Sequence, residues 1–218
     1  MGPRTSAGLS ILTATTFARA AHLRTVCRSD ARRETRNGYS ANPNGRNLVN
    51  ESEILVDAFA RIHDVVHATV DELPPPALTY RIDSDANTIG WLIWHLTRVQ
   101  DDHIAGVADS EQVWTAAGWA ERFKLPFDAS DIGYGHSSAD VAAVAADREL
   151  LLGYHDATYE RTLDYLRSLS GADLDAVVDE NWTPAVTLGV RLISVISDDL
   201  QHAGQAAYVA GVYGRSQN

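Results

Sequence analysis

The sequence predicts an all-α fold, a four-helix bundle with long connections between its helices. Apolar residues recur at three- and four-residue intervals in four long segments, which is the period of amphipathic helices. No segment reads as a convincing β-strand, with apolar and polar side chains alternating between short turns. The chain has 218 residues, enough for one domain with a full hydrophobic core. Together these observations favour a bundle whose helices bury their apolar faces against one another.

The first predicted helix begins at Glu51 and ends before the proline run at residues 74–76. His63 and His67 lie on it four residues apart, beside its apolar positions. That spacing suits half of a metal site, but the sequence shows no matching partner for the pair. We therefore expect a partly exposed helix surface here, with a metal site as the alternative.

The second predicted helix begins near Thr88, with Asn87 or Thr88 as its N-cap residue. His95 lies between two leucines of its apolar stripe, so the imidazole should point inward. A buried imidazole needs partners for both ring nitrogens, either hydrogen bonds or a metal ion. Asp102 follows about two turns later on the same face.

A long connection, residues 109–136, follows the second helix. Connections of this length in a compact domain tend to be functional or to carry structure of their own. We expect either a lid over a substrate cavity or a flap that packs on one end of the core. The segment is rich in aromatic residues, namely Trp114, Trp119, Phe123, Phe127 and Tyr134.

The last two helices are predicted at residues 137–170 and 187–214. The third helix carries His155 and Asp156, which we assign to no metal site. In the final helix, three aliphatic residues are expected to face the core; they are Ile193, Ile196 and Leu200.

Residues 1–50 differ from the rest of the chain in composition. They hold eight Arg against Asp30 and Glu34, which is a net charge of +6. The whole chain has a net charge of −11, so residues 51–218 carry a net charge of −17. We expect a disordered Arg-rich extension at 1–50 and one helical domain at 51–218. The apolar run 9–21 fits a signal peptide poorly, because threonines interrupt it and only Arg4 precedes it. The acidic domain should repel phosphate backbones and anionic lipids, so neither nucleic acid nor a membrane is an expected partner.

Cys27 is the only cysteine of the sequence. It excludes an intrachain disulfide and a metal site built from several thiolates. Apolar runs stop well short of the roughly 20 residues that a membrane-spanning helix needs. We therefore expect a cytoplasmic protein.

Asp198 and His202 stand four residues apart in the final helix, so their side chains project from one face about one turn apart. If this helix packs on the second one, His95 would complete a set of two histidines and one carboxylate. Spacing alone leaves two interpretations open. Either the three residues bind one metal ion, or Asp198 and His202 pair within their helix and His95 is a hydrogen-bonded core histidine.

Two motifs, GWLIWHLTRVQDDH and DDLQHAGQ, resemble the DinB-like superfamily of four-helix-bundle metalloproteins over roughly residues 51–213. The chain looks most similar to its actinobacterial branch, which includes mycothiol-dependent enzymes such as maleylpyruvate isomerase and mycothiol S-transferases. The family's first ligand histidine matches His95. The family's second motif begins with a His or Glu, followed after three residues by a His and after one more residue by Gly-Gln. Its positions match Asp198, His202, Gly204 and Gln205. Aspartate departs from the commoner His or Glu, which leaves the identity of the metal open.

The resemblance implies a homodimeric enzyme that uses one divalent metal ion to activate a low-molecular-weight thiol such as mycothiol. Zinc is the expected metal, and nickel and iron also suit two histidines and a carboxylate. The thiol would be transferred to a small-molecule substrate or would assist its isomerisation. Asp102 and His103 are the nearest candidates for a general base. The alternative is a noncatalytic, stress-associated metal-binding bundle that works as a dimer.

Overall fold

The computed structural model describes residues 50–217, so the predicted disordered extension at 1–50 lies outside the described residues except for Asn50. Asn50 caps the first helix, since its side chain accepts a hydrogen bond from the Glu53 amide at 2.7 Å. The helices of the described chain are α1 (Glu51–Val70), α2 (Pro75–Leu78), α3 (Ile89–Val107), α4 (Val113–Ala116), α5 (Trp119–Phe123), α6 (Ser138–Ala143), α7 (Arg148–Ser168) and α8 (Leu188–Ser216).

Four long helices, α1, α3, α7 and α8, form the bundle and confirm the predicted all-α class. Helix α3 packs against α8 and α7, and α1 packs against the same two helices. Most of α3 is buried, including Ile93, Trp94 and Leu96. As predicted, Thr88 caps α3 by accepting a hydrogen bond from the Trp91 amide at 3.1 Å. The central position of α3 is what places His95 inside the bundle.

Two short strands were missed by the sequence analysis. Strand β1 (Val177–Asp179) pairs antiparallel with β2 (Val186–Thr187), and a turn of 3₁₀ helix (Gly171–Asp175) precedes them. The strands are too short to show an alternating pattern in the sequence. They pair with each other within the connection between α7 and α8. Thr187 ends β2 and caps α8 by accepting from the Val190 amide.

The predicted third helix, 137–170, is wrong as one continuous element. It divides into α6 and α7 because Val144 leaves the helical conformation, with ψ at 75°. Asp147 then caps α7 by accepting a hydrogen bond from the Leu150 amide at 2.8 Å. An aspartate that can cap a helix, placed inside a helical apolar pattern, is the sequence signal for this break.

Helix α8 differs from the prediction in length and orientation. It continues past Gly214 to Ser216. Ile196 is buried as expected, but Ile193 and Leu200 are wrong as core residues, being 58% and 45% exposed. No helix in the described part of the chain is long and apolar enough to cross a membrane.

Candidate metal centre

His95 on α3 and the pair Asp198 and His202 on α8 come together where these two helices pack. Each residue offers one ligand atom, and the three atoms lie within 4.8 Å of one another. The ring centroids of His95 and His202 are 4.8 Å apart. His202 Nε2 is 3.7 Å from Asp198 Oδ1, too far for a hydrogen bond. The packing therefore favours a three-residue site over a hydrogen-bonded pair within α8.

His95 is buried with a defined tautomer. Its Nδ1 lies 2.5 Å from the Ile132 carbonyl oxygen, which only accepts, so Nδ1 carries the proton and donates. Nε2 is left with a lone pair and makes no hydrogen bond within residues 50–217. Burial lowers the pKa of His95 and keeps the ring neutral, as a metal ligand must be. The Trp91 ring stacks on the imidazole at a centroid distance of 4.5 Å and fixes its plane.

Gly133 holds the long connection against His95. Its φ is +101°, and a Cβ at this position would stand 2.7 Å from His95 Nδ1. A side chain would thus displace the carbonyl of the preceding residue, Ile132, from the imidazole. The connection is anchored nearby by His136, which accepts a hydrogen bond from Trp91 Nε1 at 3.0 Å and contacts Asp131 at 3.1 Å.

The connection 109–136 is in part the packing flap that was one of its two expected roles, and the substrate lid stays a prediction. Trp114, Trp119 and Phe123 are buried and pack on the core. Tyr134 instead is 63% exposed, and its ring meets that of His95 edge-on at 5.3 Å. One part of the segment is therefore a packing flap, and its tip borders the candidate metal centre.

His202 has the same tautomer as His95. Its Nδ1 lies 3.0 Å from Gln205 Oε1, an acceptor, so Nδ1 donates and Nε2 keeps its lone pair. Gln205 is one turn further along α8, which is why its side chain reaches the ring. Hydrogen bonds of this kind orient metal-ligating histidines and raise their basicity.

Asp198 supplies an unpaired carboxylate oxygen. Its Oδ2 is buried and finds no hydrogen-bond partner in the described part of the chain. A buried carboxylate oxygen without a partner is costly unless a cation or proton donor completes it. Two imidazoles whose Nδ1 atoms face acceptors, together with one such carboxylate, form a donor set that fits a divalent cation.

Asp199 is a further buried carboxylate that the sequence analysis missed. Neither of its oxygens has a partner among the described residues. Burial, and then the neighbouring charge of Asp198, raise its pKa well above the usual range, so the neutral acid is favoured. The only signal for it was the Asp-Asp doublet, which does not show which carboxylate faces the core.

Asp102 and His103 line a polar cleft of about 530 Å³ between α3 and α8, together with Gln112 and Arg191. Asp102 accepts a hydrogen bond from Gln112 Nε2 at 2.7 Å. His103 Nδ1 is 3.4 Å from a guanidinium nitrogen of Arg191. Burial and Arg191 lower the pKa of His103, against the opposing charges of Asp102 and Asp198. His103 is therefore a neutral base within the electrostatic reach of the metal centre.

Arg191 was missed, although it precedes Asp198 by two turns on the same helix face. Its guanidinium donates a hydrogen bond to Asp179 on β1 at 2.9 Å. Asp101, which the sequence places away from the metal face, is buried and anchors the long connection. Its carboxylate accepts from the Val113 and Trp114 amides at 2.8 and 2.7 Å.

Comparison with known proteins agrees with this geometry. The sequence profile of the DinB superfamily matches residues 58–206. The chain belongs to the DinB superfamily. The matched region runs from α1 into α8 and includes His95, Asp198 and His202.

A solved structure similar to this DinB-superfamily protein is that of a conserved protein from Enterococcus faecalis. The two are 30% identical, with a TM-score of 0.69, over 75% of this chain and 96% of the other. None of the curated proteins matches the sequence. The matches support the fold and the superfamily, and they do not separate the mycothiol-dependent branch from the rest.

Proposed function

We propose that the protein is a metal-dependent enzyme that activates a low-molecular-weight thiol, of the mycothiol kind, for transfer to or isomerisation of a small molecule. The observation that carries this proposal is the donor set at the α3–α8 contact, where two oriented Nε2 lone pairs accompany the unpaired Asp198 oxygen. His95, Asp198 and His202 would hold one divalent ion, for which zinc is the first choice and nickel or iron also fit.

A bound ion of this kind acts as a Lewis acid and lowers the pKa of a thiol that reaches it. Three protein ligands are the number typical of catalytic zinc, whereas structural zinc is held by four. The protein's own part is to orient both imidazoles, because each Nδ1 faces an acceptor and directs Nε2 toward the space between α3 and α8. Burial also favours the neutral form of His95.

The polar cleft supports a hydroxyl-rich thiol as the cosubstrate. Arg191 and Gln112 line it as donors, and Asp102 lines it as an acceptor. Such groups suit a polar small molecule better than an apolar one. In the proposed reaction His103 is the general base, because its ring is kept neutral and can take up a proton.

The proposal is tested by following the consumption of monochlorobimane with and without mycothiol. We expect consumption by zinc-loaded wild type that requires mycothiol and is lost after chelation. His202→Ala should show the background rate. Equal rates with and without mycothiol, across several electrophiles, would refute thiol activation.

A second function is favoured by the outer face of α8. It carries four exposed large apolar side chains, at Val190, Ile193, Leu200 and Tyr208. An exposed apolar stripe on one helix is typical of a protein–protein contact. A noncatalytic metal-binding bundle that works as a homodimer would have this surface and bind metal, but it would not consume electrophiles.

A further inference from the structure

A second group of metal-ligating side chains lies between α1 and α7, the two helices that do not carry the first centre. His63 and His67 project from α1, and Asp156 projects from α7. The Nε2 atoms of the two histidines lie 2.9 and 2.7 Å from the same carboxylate oxygen, Asp156 Oδ1. One ligand atom from each residue falls within 4.8 Å of the other two.

The expectation that the His63 and His67 pair lacks a partner is therefore wrong. The partner is a residue of α7, distant in sequence, which only the packing of the two helices brings into place. The two histidine side chains are 24% and 28% exposed, and that of Asp156 is 46% exposed. The cluster lies at an open edge of the bundle that an ion can enter from solvent.

The hydrogen bonds of His67 indicate what this cluster is suited to bind. Its Nδ1 lies 3.3 Å from Asp71 Oδ1, while its Nε2 faces Asp156. A neutral imidazole has one N–H and cannot donate to both carboxylates, so the ring binds either a second proton or a metal ion at Nε2, and the zinc measurement below separates the two. With a cation at Nε2, Nδ1–H donates to Asp71, which is the carboxylate–histidine–metal arrangement of known zinc sites.

We propose that His63 Nε2, His67 Nε2 and Asp156 Oδ1 bind a second divalent transition-metal ion, of the zinc or copper class. Two nitrogens and one oxygen suit these ions, and three protein ligands leave a position for water. Ligand atoms of a tetrahedral zinc site are about 3.3 Å apart, given metal–ligand bonds of about 2.0 Å. The 2.7 and 2.9 Å contacts therefore need to open by about half an ångström, which small rotations of these partly exposed side chains supply.

The aromatic surroundings fix the imidazole planes. The Tyr159 ring stacks on the His63 ring with 4.2 Å between their centroids. The His67 ring, also on α1, lies 4.4 Å from the His63 ring. His155 stacks on His63 at 5.5 Å and is fully buried. His155 Nε2 has no hydrogen-bond partner within the described range, so a neutral ring rather than a cation stands behind the cluster.

The second ion would tie α1 to α7, since its ligands come from both helices. Only the folded chain aligns the three ligands, so the ion would stabilise the folded state. The inference does not rest on the proposed enzyme activity, because it shares no residue with the first centre.

The test is zinc stoichiometry in the full-length chain, free of any affinity tag and stripped of metal before equilibrium dialysis against zinc. Mass spectrometry of the metal should find two equivalents per wild-type chain and one in His67→Ala. Asp156→Ala, a second variant at an exposed position, should also hold one. Asp64→Asn removes an exposed acidic charge beside His63 and should keep both equivalents.

The experiment distinguishes loss of zinc from the first centre from loss of zinc from the second cluster. His202→Ala should lose the first equivalent alone, and His202→Ala with His67→Ala should bind none. If His67→Ala and Asp156→Ala both bind as much zinc as the wild type, the cluster holds only a proton between its histidines and the second site is overturned. Loss of zinc in His202→Ala has no bearing on that conclusion.

Discussion

The candidate metal centre depends on two histidines that present the same ring nitrogen to the space between α3 and α8. His95 does so because its Nδ1–H donates to a backbone carbonyl. His202 does so because its Nδ1–H donates to the Gln205 side chain. Spacing in the sequence left this grouping as one of two interpretations, and the resemblance of two motifs to the DinB-like superfamily favoured it. The carbonyl of Ile132 could not be predicted, because the conformation of its loop is set by contacts distant in sequence.

Gly133→Ala should disturb the metal centre from the loop side. The new Cβ would stand 2.7 Å from His95 Nδ1, so the carbonyl bond to the imidazole should break. We expect weaker zinc binding and a loss of about 1–3 kcal/mol in unfolding free energy, measured by zinc titration and urea denaturation. Gly135→Ala is the matched control, since its φ is also positive but nothing lies within 4 Å of its Cβ. Equal zinc affinity in the two variants would contradict this role.

Gln205→Leu should weaken metal binding without unfolding the protein. The change removes the acceptor that holds His202 Nδ1–H, so both tautomers become available. Losing such a partner typically costs about 10–100-fold in metal affinity, to be measured by competition with a zinc chelator. Gln201→Leu, one turn earlier on α8, removes an amide that bonds only within its own helix turn and should leave affinity unchanged. Identical affinities would show that Gln205 does not orient the ligand.

At the scale of elements, the centre depends on how the long connection is fixed to α3. The Asp101 carboxylate accepts hydrogen bonds from two backbone amides at the start of α4. It also accepts one from the Tyr154 hydroxyl of α7, at 2.8 Å. The burial of Asp101 could not be predicted from the sequence, because the segment that covers it has no regular pattern.

Asp101→Ala should destabilise the fold as well as the site. Two backbone amides would lose their acceptor, and buried Arg98, 3.8 Å from the carboxylate, would lose its counter-charge. Breaking a buried charged network by removing one partner costs about 3–5 kcal/mol, which urea denaturation would measure. Glu111→Ala, an exposed acid of the same connection, should change stability by less than about 0.5 kcal/mol. Comparable losses in the two variants would rule out this anchoring role.

The cleft between α3 and α8 predicts a pH dependence for the proposed reaction. Because burial and Arg191 lower the pKa of His103, the neutral base persists at neutral pH, and the rate should fall only below about pH 6.5. His103→Gln should reduce the turnover number by about 10²-fold or more and abolish this acid limb. Zinc content must be followed at each pH, so that loss of metal is not mistaken for protonation. An unchanged rate and pH profile would exclude His103 as the base.

At the scale of the whole molecule, the two pairs of helices carry separate clusters of metal-ligating side chains. Helices α3 and α8 hold the candidate metal centre, and α1 and α7 hold the second histidine cluster. The bundle itself followed from helical periodicity, but Asp156 could not be matched to His63 and His67 before the helices were packed. The homodimer stays a prediction, supported by the exposed apolar residues of α8.

The central claim is that one divalent ion binds between His95, Asp198 and His202. Anomalous diffraction at the zinc absorption edge, from crystals of the full-length chain grown with zinc, tests it most directly. The account predicts a peak within about 2.2 Å of both Nε2 atoms and of one Asp198 oxygen. A zinc-saturated crystal with no peak at that position would contradict it.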